Sequence, residues 1–256
     1  MCLIVFALDC HPRYKLVLAA NRDEFYKRPT LAAAYWPERP ELLAGKDLLK
    51  SGTWMGITKT GRWAALTNYR GPSQTRRGAP SRGLLVHDYL VGEDASADFL
   101  GRLVETAQQY DGYNLLAGTT DALYYYSNQQ QAVHQIQPGI HGLSNSLLNV
   151  CWPKVYRSVR QLKDCLRDDV IQADRLFSIM ADKQQALDQE LPGTGVSLEW
   201  ERLLSSVFIA GENYGTRCTS VLLIDRCDHV QFWEKNFING NQEEADVVSY
   251  EFSIEG

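Results

Sequence analysis

The chain has no CxxC pair and only six cysteines in 256 residues: Cys2, Cys10, Cys151, Cys165, Cys218 and Cys227. That pattern excludes a disulfide scaffold and a structural zinc site. No apolar run approaches the roughly 20 residues that cross a bilayer. The apolar opening from Met1 to Leu8 stops at Asp9, without a basic start or a small-residue cleavage site. Neither sign of charge dominates, since 26 Lys+Arg against 31 Asp+Glu leave a net charge of −5. Both signs are scattered, so the basic stripe of a nucleic-acid binder is missing. GxGxxG and GxxxxGKS/T are absent too, which removes the usual nucleotide cradles. There is no internal repeat and no low-complexity tract. Hydrophobic residues, by contrast, make up 45% of the chain, an ordinary globular share. A chain of this length buries about 75% of its unfolded surface without staples. These features predict one soluble, cytoplasmic domain spanning residues 1–256.

The first seventy residues read as strands. Leu3 to Leu8 and Lys15 to Ala20 predict a hairpin about Asp9-Cys10-His11-Pro12. Trp54 to Thr58 and Trp63 to Thr67 predict a second, with Gly61 in its turn. The strands starting at Cys2, Lys15, Trp54 and Trp63 are expected in one antiparallel sheet. Arg28 to Gly45 holds three prolines and reads as an irregular excursion, and Gly71 to Arg82 as an exposed basic loop. From Leu84 to Ala107 the apolar spacing turns to three and four, giving two helices broken near Gly92. Strands follow over 113–117, 123–127 and 132–136. Pro153 opens a helix through Val155, Val159, Leu162 and Leu166, as first-turn prolines do. Helices through Leu176 to Met180 and Leu198 to Leu204 precede strands over 217–224, 229–233 and 247–252. Hairpin-rich sheets interrupted by helix pairs predict a layered α+β fold with antiparallel sheets.

Several residues carry chemistry or have a plainer role. Removal of Met1 would give Cys2 a thiol beside an α-amine of pKa about 7.7–8, a built-in base; otherwise Cys2 is a small residue on an edge strand. Asn21-Arg22-Asp23-Glu24, at the end of an apolar strand, reads as a turn or as a carboxylate and a guanidinium serving a thiol. Asn68 and Asn145 either end strands and cap helices or donate amides to an oxyanion. Arg217 is either solvated at a strand mouth or part of the same site.

Together these pieces resemble one family. Met1-Cys2-Leu3-Ile4, Asn21-Arg22-Asp23-Glu24, Ser51-Gly52-Thr53-Trp54-Met55-Gly56, Thr67-Asn68-Tyr69-Arg70, Gly142-Leu143-Ser144-Asn145-Ser146 and Gly215-Thr216-Arg217-Cys218-Thr219 look like the NRDE family, that of transport and Golgi organisation protein two. The resemblance runs in order from residue 1 to about 225. It implies the αββα four-layer fold of N-terminal nucleophile hydrolases, nearest the bile-salt hydrolase and penicillin V acylase group. On that pattern Cys2 is the nucleophile and Asp23 holds the α-amine. Asn68 and Asn145 lie about the oxyanion, and Arg217 is a late arginine near the thiol. The departure is Ala20, where those hydrolases carry an arginine; Arg22 is the nearby substitute. With Arg22 and Arg217 beside it, the Cys2 thiol is expected below its usual pKa of about 8.5 and as the most reactive of the six.

The family resemblance also implies intracellular haem carriage, and acyl-coenzyme A binding as an alternative. A Cys2-dependent amidohydrolase cleaving a linear carbon–nitrogen amide is the enzymatic alternative. Haem or a similar small amphipathic ligand is then cargo, and hydrolysis needs no cofactor or metal. Haem takes an axial His, Cys, Met or Tyr in many proteins. Of the five histidines, His141 lies nearest a candidate residue, four before Asn145. Cys10-His11-Pro12 resembles a Cys-Pro haem contact loosely. Arg76 and Arg77, with Arg70 and Arg82, are the basic residues for propionates or phosphates.

Overall fold

The computed structural model describes residues 2–71 and 78–255. The Met1 cap and the Arg76-Arg77 pair lie outside the described residues. In chain order the elements begin with β1 (Cys2–Leu8) and β2 (Tyr14–Phe25). Next come β3 (Thr30–Trp36), β4 (Arg39–Asp47), β5 (Met55–Thr58), β6 (Trp63–Asn68), α1 (Gly83–Val91), α2 (Ser96–Thr106), β7 (Tyr113–Gly118), β8 (Leu123–Ser127) and β9 (Ala132–Gln135). The chain continues with β10 (Gly139–Leu143), α3 (Pro153–Cys165), α4 (Ala173–Met180), α5 (Leu198–Leu204), β11 (Tyr214–Asp225), β12 (His229–Ile238) and β13 (Asn241–Ser253). Backbone packing divides the chain into two compact units, Met1–Lys27 with Pro138–Glu251, and Arg28–Gln137 with Phe252–Gly256.

The first unit is built on a six-stranded antiparallel sheet in the order β10-β1-β2-β11-β12-β13. One face carries Leu3, Val5, Val17, Ala19, Val221 and Leu223, packed against Val155 and Leu162 of α3 and Leu176, Ile179 and Met180 of α4. Ile4, Phe6, Leu18, Leu222 and Phe232, on the opposite face, are buried as well. With both faces covered, β1 and β11 read as continuous apolar runs rather than as an alternation. Each such side chain contributes about 1.5–3 kcal/mol on full burial. Gly142 is required where α3 crosses β10, because a Cβ there would lie 2.6 Å from Val155 Cγ1. Among the described residues no helix is long and apolar enough to cross a membrane.

The second unit holds a seven-stranded sheet in the order β3 to β9, each strand beside its sequence neighbour. Leu42, Ala64, Leu66, Leu115 and Ala117 of that sheet pack on Leu85, Tyr89 and Leu100 of α1 and α2. The two N-terminal hairpins therefore belong to different sheets, which corrects the expected single sheet. Each hairpin forms as expected, but β2 pairs onward with β11, and β5 onward with β4. The excursion expected over 28–45 is another correction, since it contains β3 and β4. Its prolines sit where a sheet tolerates them: Pro29 precedes β3, Pro37 lies in the turn, and Pro40 is second in β4.

Candidate functional site

β1 and β2 pair with Cys2 opposite Arg22, and β11 continues the row with Cys218 opposite Arg22. Cross-strand partners share a face, so the Arg22 side chain stands between the two sulfurs on the face away from the helices. Arg22 is 6% exposed. Alternation sends Asn21 and Asp23 to the helix face. The segment 21–24 is therefore strand, not turn, and it stays strand because its polar groups have buried partners on both sides. Asn21 donates Nδ2–H to the carbonyls of Met180 at 2.9 Å and Val207 at 3.0 Å, and accepts from Thr219 Oγ1 at 2.6 Å.

Asp23 is buried and accepts a hydrogen bond from Thr216 Oγ1 at 2.7 Å on Oδ1. The same Thr216 oxygen accepts from the Ile209 N–H at 2.9 Å, and Tyr214 Oη donates to the Asp23 carbonyl at 3.1 Å. Burial pushes the Asp23 carboxyl above its usual range, while the charge of Lys154, buried near the start of α3, pulls it back. Cys2 is half-buried, and its sulfur accepts the backbone N–H of Asp23. Burial drives the Cys2 thiol upward first; the Asp23 charge adds to this and Arg22 opposes it. The net direction corrects the lowered value expected from two arginines: desolvation of a thiolate outweighs Arg22, and Arg217 is turned to the Phe25 carbonyl.

Ser144 and Asn145 follow β10 directly. Ser144 Oγ donates to the Cys2 carbonyl at 3.2 Å, so the buried Asn145 lies beside the start of β1. Arg217 occupies a bulge between Thr216 and Cys218 and directs Nη1–H to the Phe25 carbonyl at 3.0 Å. Burial lowers its pKa, and the adjacent Arg22 charge lowers it further. The structure thus gathers Cys2, Arg22, Asp23, Asn145 and Arg217 at one end of the six-stranded sheet. Asn68 ends β6 in the second unit, where it pairs with Tyr113.

His141 is on β10 opposite Phe6, four residues along the strand from Cys2's level, or about 13 Å. Its ring stacks on Phe6 with centroids 5.1 Å apart, and Nδ1 lies 3.1 Å from Asn149 Nδ2. An iron bond at His141 would have to compete with that packing. His11, in the first hairpin, is buried with Nε2 2.9 Å from the Asp168 carbonyl and Nδ1 accepting from Arg13 N–H. That makes it a structural residue, and Cys10 beside it directs its thiol to the Leu8 carbonyl. Among the described residues no three His, Cys, Asp or Glu side chains are grouped to hold a metal.

Sequence reasoning missed Lys154, Thr216, Ser144, Tyr214 and the strand β10. Lys154 follows a helix-starting proline and looks like any solvated lysine, yet it is buried. Cys218 was within reach, standing in an apolar strand after Arg217. Burial, then the charge of the buried Glu234, pushes its thiol far up.

This arrangement has the fold of the N-terminal nucleophile hydrolases. A mutant conjugated bile acid hydrolase from Clostridium perfringens superposes with a TM-score of 0.52 at 8% identity, covering 99% of this chain and 97% of that one. The chain belongs to the transport and Golgi organisation 2 family, whose model matches residues 1–239. The Bos taurus transport and Golgi organization protein 2 homolog is 33% identical over the whole of both chains. The Drosophila melanogaster protein of that name is 30% identical over 92% of each.

Proposed function

We propose that this protein carries a small amphipathic ligand of the haem type inside the cell, on a hydrolase scaffold whose nucleophile is held as a neutral thiol. The observation that carries the reading is the state of Cys2. Its sulfur stands in the row with Arg22, across the strand pairing, yet burial and the Asp23 charge push the thiol up rather than down. A thiol of that kind is a poor nucleophile, so the scaffold's binding capacity outlasts its turnover. The name of the relatives, which speaks of transport, agrees with a carrier. A haemin titration followed in the Soret region tests this: a saturable change is expected, and a strictly linear one would overturn it. His141 is the first side chain to substitute, and an unchanged spectrum in His141→Ala would reject only that ligand.

A second reading is amide hydrolysis, favoured by the gathering of Cys2, Arg22, Asp23, Asn145 and Arg217. The Cys2 sulfur would attack a linear amide carbonyl, giving a thioester and a free amine, and water would then release the acid. Amine release from penicillin V-type or bile-salt amides, lost in Cys2→Ala, would establish it. The carrier reading expects no such release. Acyl-coenzyme A, the remaining candidate, is tested by competition against haemin.

A further inference from the structure

Phe25 closes β2, and Tyr214 opens β11 directly across from it. Their rings meet edge to face, with centroids 5.1 Å apart and planes at 79°. From α5, Trp200 approaches the same tyrosine at 5.5 Å and 66°. With Leu203, the three rings bound a cavity of about 200 Å³, and Glu199 and Glu212 stand on its lining. Much of this aromatic surface is open, since Phe25 is 52% and Trp200 36% exposed. Phe25 and Trp200, the exposed rings, stand at steep angles to the buried Tyr214 and line one volume with it, and aromatic rings lining a small volume attract an organic cation.

We propose that this aromatic cradle is a binding site for a small quaternary ammonium compound of the choline class. Three features select that chemistry. The volume is below the roughly 300–1,000 Å³ of a drug-sized pocket, so it takes a compact head rather than a chain or a macrocycle. The two carboxylates form no ion pair among the described residues and set the sign of the guest. A fully methylated ammonium has no N–H to satisfy, so a cavity walled by π faces and aliphatic carbon costs it little.

The cradle is also fixed before a ligand arrives. α5 is capped by Ser197, whose Oγ accepts the Trp200 N–H at 3.4 Å. Arg202 forks onto Asp188 at 2.8 and 2.6 Å. The buried Glu201 accepts both the N–H and the hydroxyl of Thr194, at 2.5 and 2.6 Å. Preorganisation of this kind saves the ordering entropy of binding. Tyr214 lines the cradle and also bonds the Asp23 carbonyl at 3.1 Å, so the cradle adjoins the candidate site without including Cys2.

The test is calorimetric titration of the full chain with choline, with 3,3-dimethylbutanol as its neutral isostere. Saturable millimolar choline binding is expected, at least tenfold tighter than the isostere. Trp200→Leu should abolish it, and the surface pair Glu199→Gln with Glu212→Gln should weaken it at least threefold without disturbing the fold. No saturable choline binding, equal binding of the isostere, or unchanged affinity in the double glutamine variant would each overturn the proposal.

Discussion

Cys2 and Asp23 are both shifted by burial, and each shift makes a pH-dependent statement. A thiol raised by desolvation ionises only above the ordinary range of about 8.5. Alkylation of Cys2 by iodoacetamide, read by peptide mass, should therefore climb only at a pH above that at which free cysteine is alkylated, and a climb at lower pH would contradict it. Asp23→Asn removes a neighbouring anion and should shift that climb to lower pH; a shift upward would contradict the charge assignment. Asp23 itself holds its proton more tightly folded than unfolded. Its contribution to stability is full below the unfolded value near 3.9 and is lost as pH rises through the folded value. Urea unfolding of wild type and Asp23→Asn should accordingly favour wild type more at pH 4 than at pH 8, and the opposite trend would refute the shift. Thr216 links the Ile209 N–H to the Asp23 carboxylate. Thr216→Val takes away both bonds of buried groups and should cost about 2–4 kcal/mol in the same experiment.

At the scale of elements, β2 and its neighbours explain why a site forms here. Asn21 ties the end of α4 and the segment at Val207 to the sheet through three hydrogen bonds. Asn21→Leu leaves those carbonyls and Thr219 without partners and should destabilise the protein by about 3 kcal/mol in urea unfolding. Gly142→Val should cost about 1–3 kcal/mol by overpacking β10 against α3. Apolar spacing made the N-terminal hairpin, α1, α2, α3 and the final strands legible, because their periods are strong. β3 and β4 were hidden by prolines that fall before β3, in the turn and near the start of β4, positions only the strand boundaries reveal. Polar residues 21–24 suggested a turn, since nothing in one strand announces the partners that satisfy it. The motif residues Cys2, Asp23 and Arg217 could be nominated from sequence, whereas Thr216 and Lys154 act through contacts made across 193 and 131 positions of chain respectively. The pairing of Arg22 with Cys2 is a fact of register, which no adjacency in sequence expresses.

On the scale of the whole molecule, a hydrolase-like fold is combined with a Cys2 thiol that burial pushes up, and fold alone does not assign function. The family match, over residues 1–239, runs through both compact units and so spans the strands of both sheets up to β12. A carrier must release its cargo, which sets the expected affinity at micromolar or weaker, about −8 kcal/mol or less favourable. The most direct measurement is the Soret absorbance of the full chain titrated with haemin, alongside Cys2→Ala. Carriage predicts saturation at a micromolar or weaker dissociation constant in both proteins, since carriage makes no use of the thiol as a nucleophile. Absorbance rising in strict proportion to added haemin, without saturation, would contradict it.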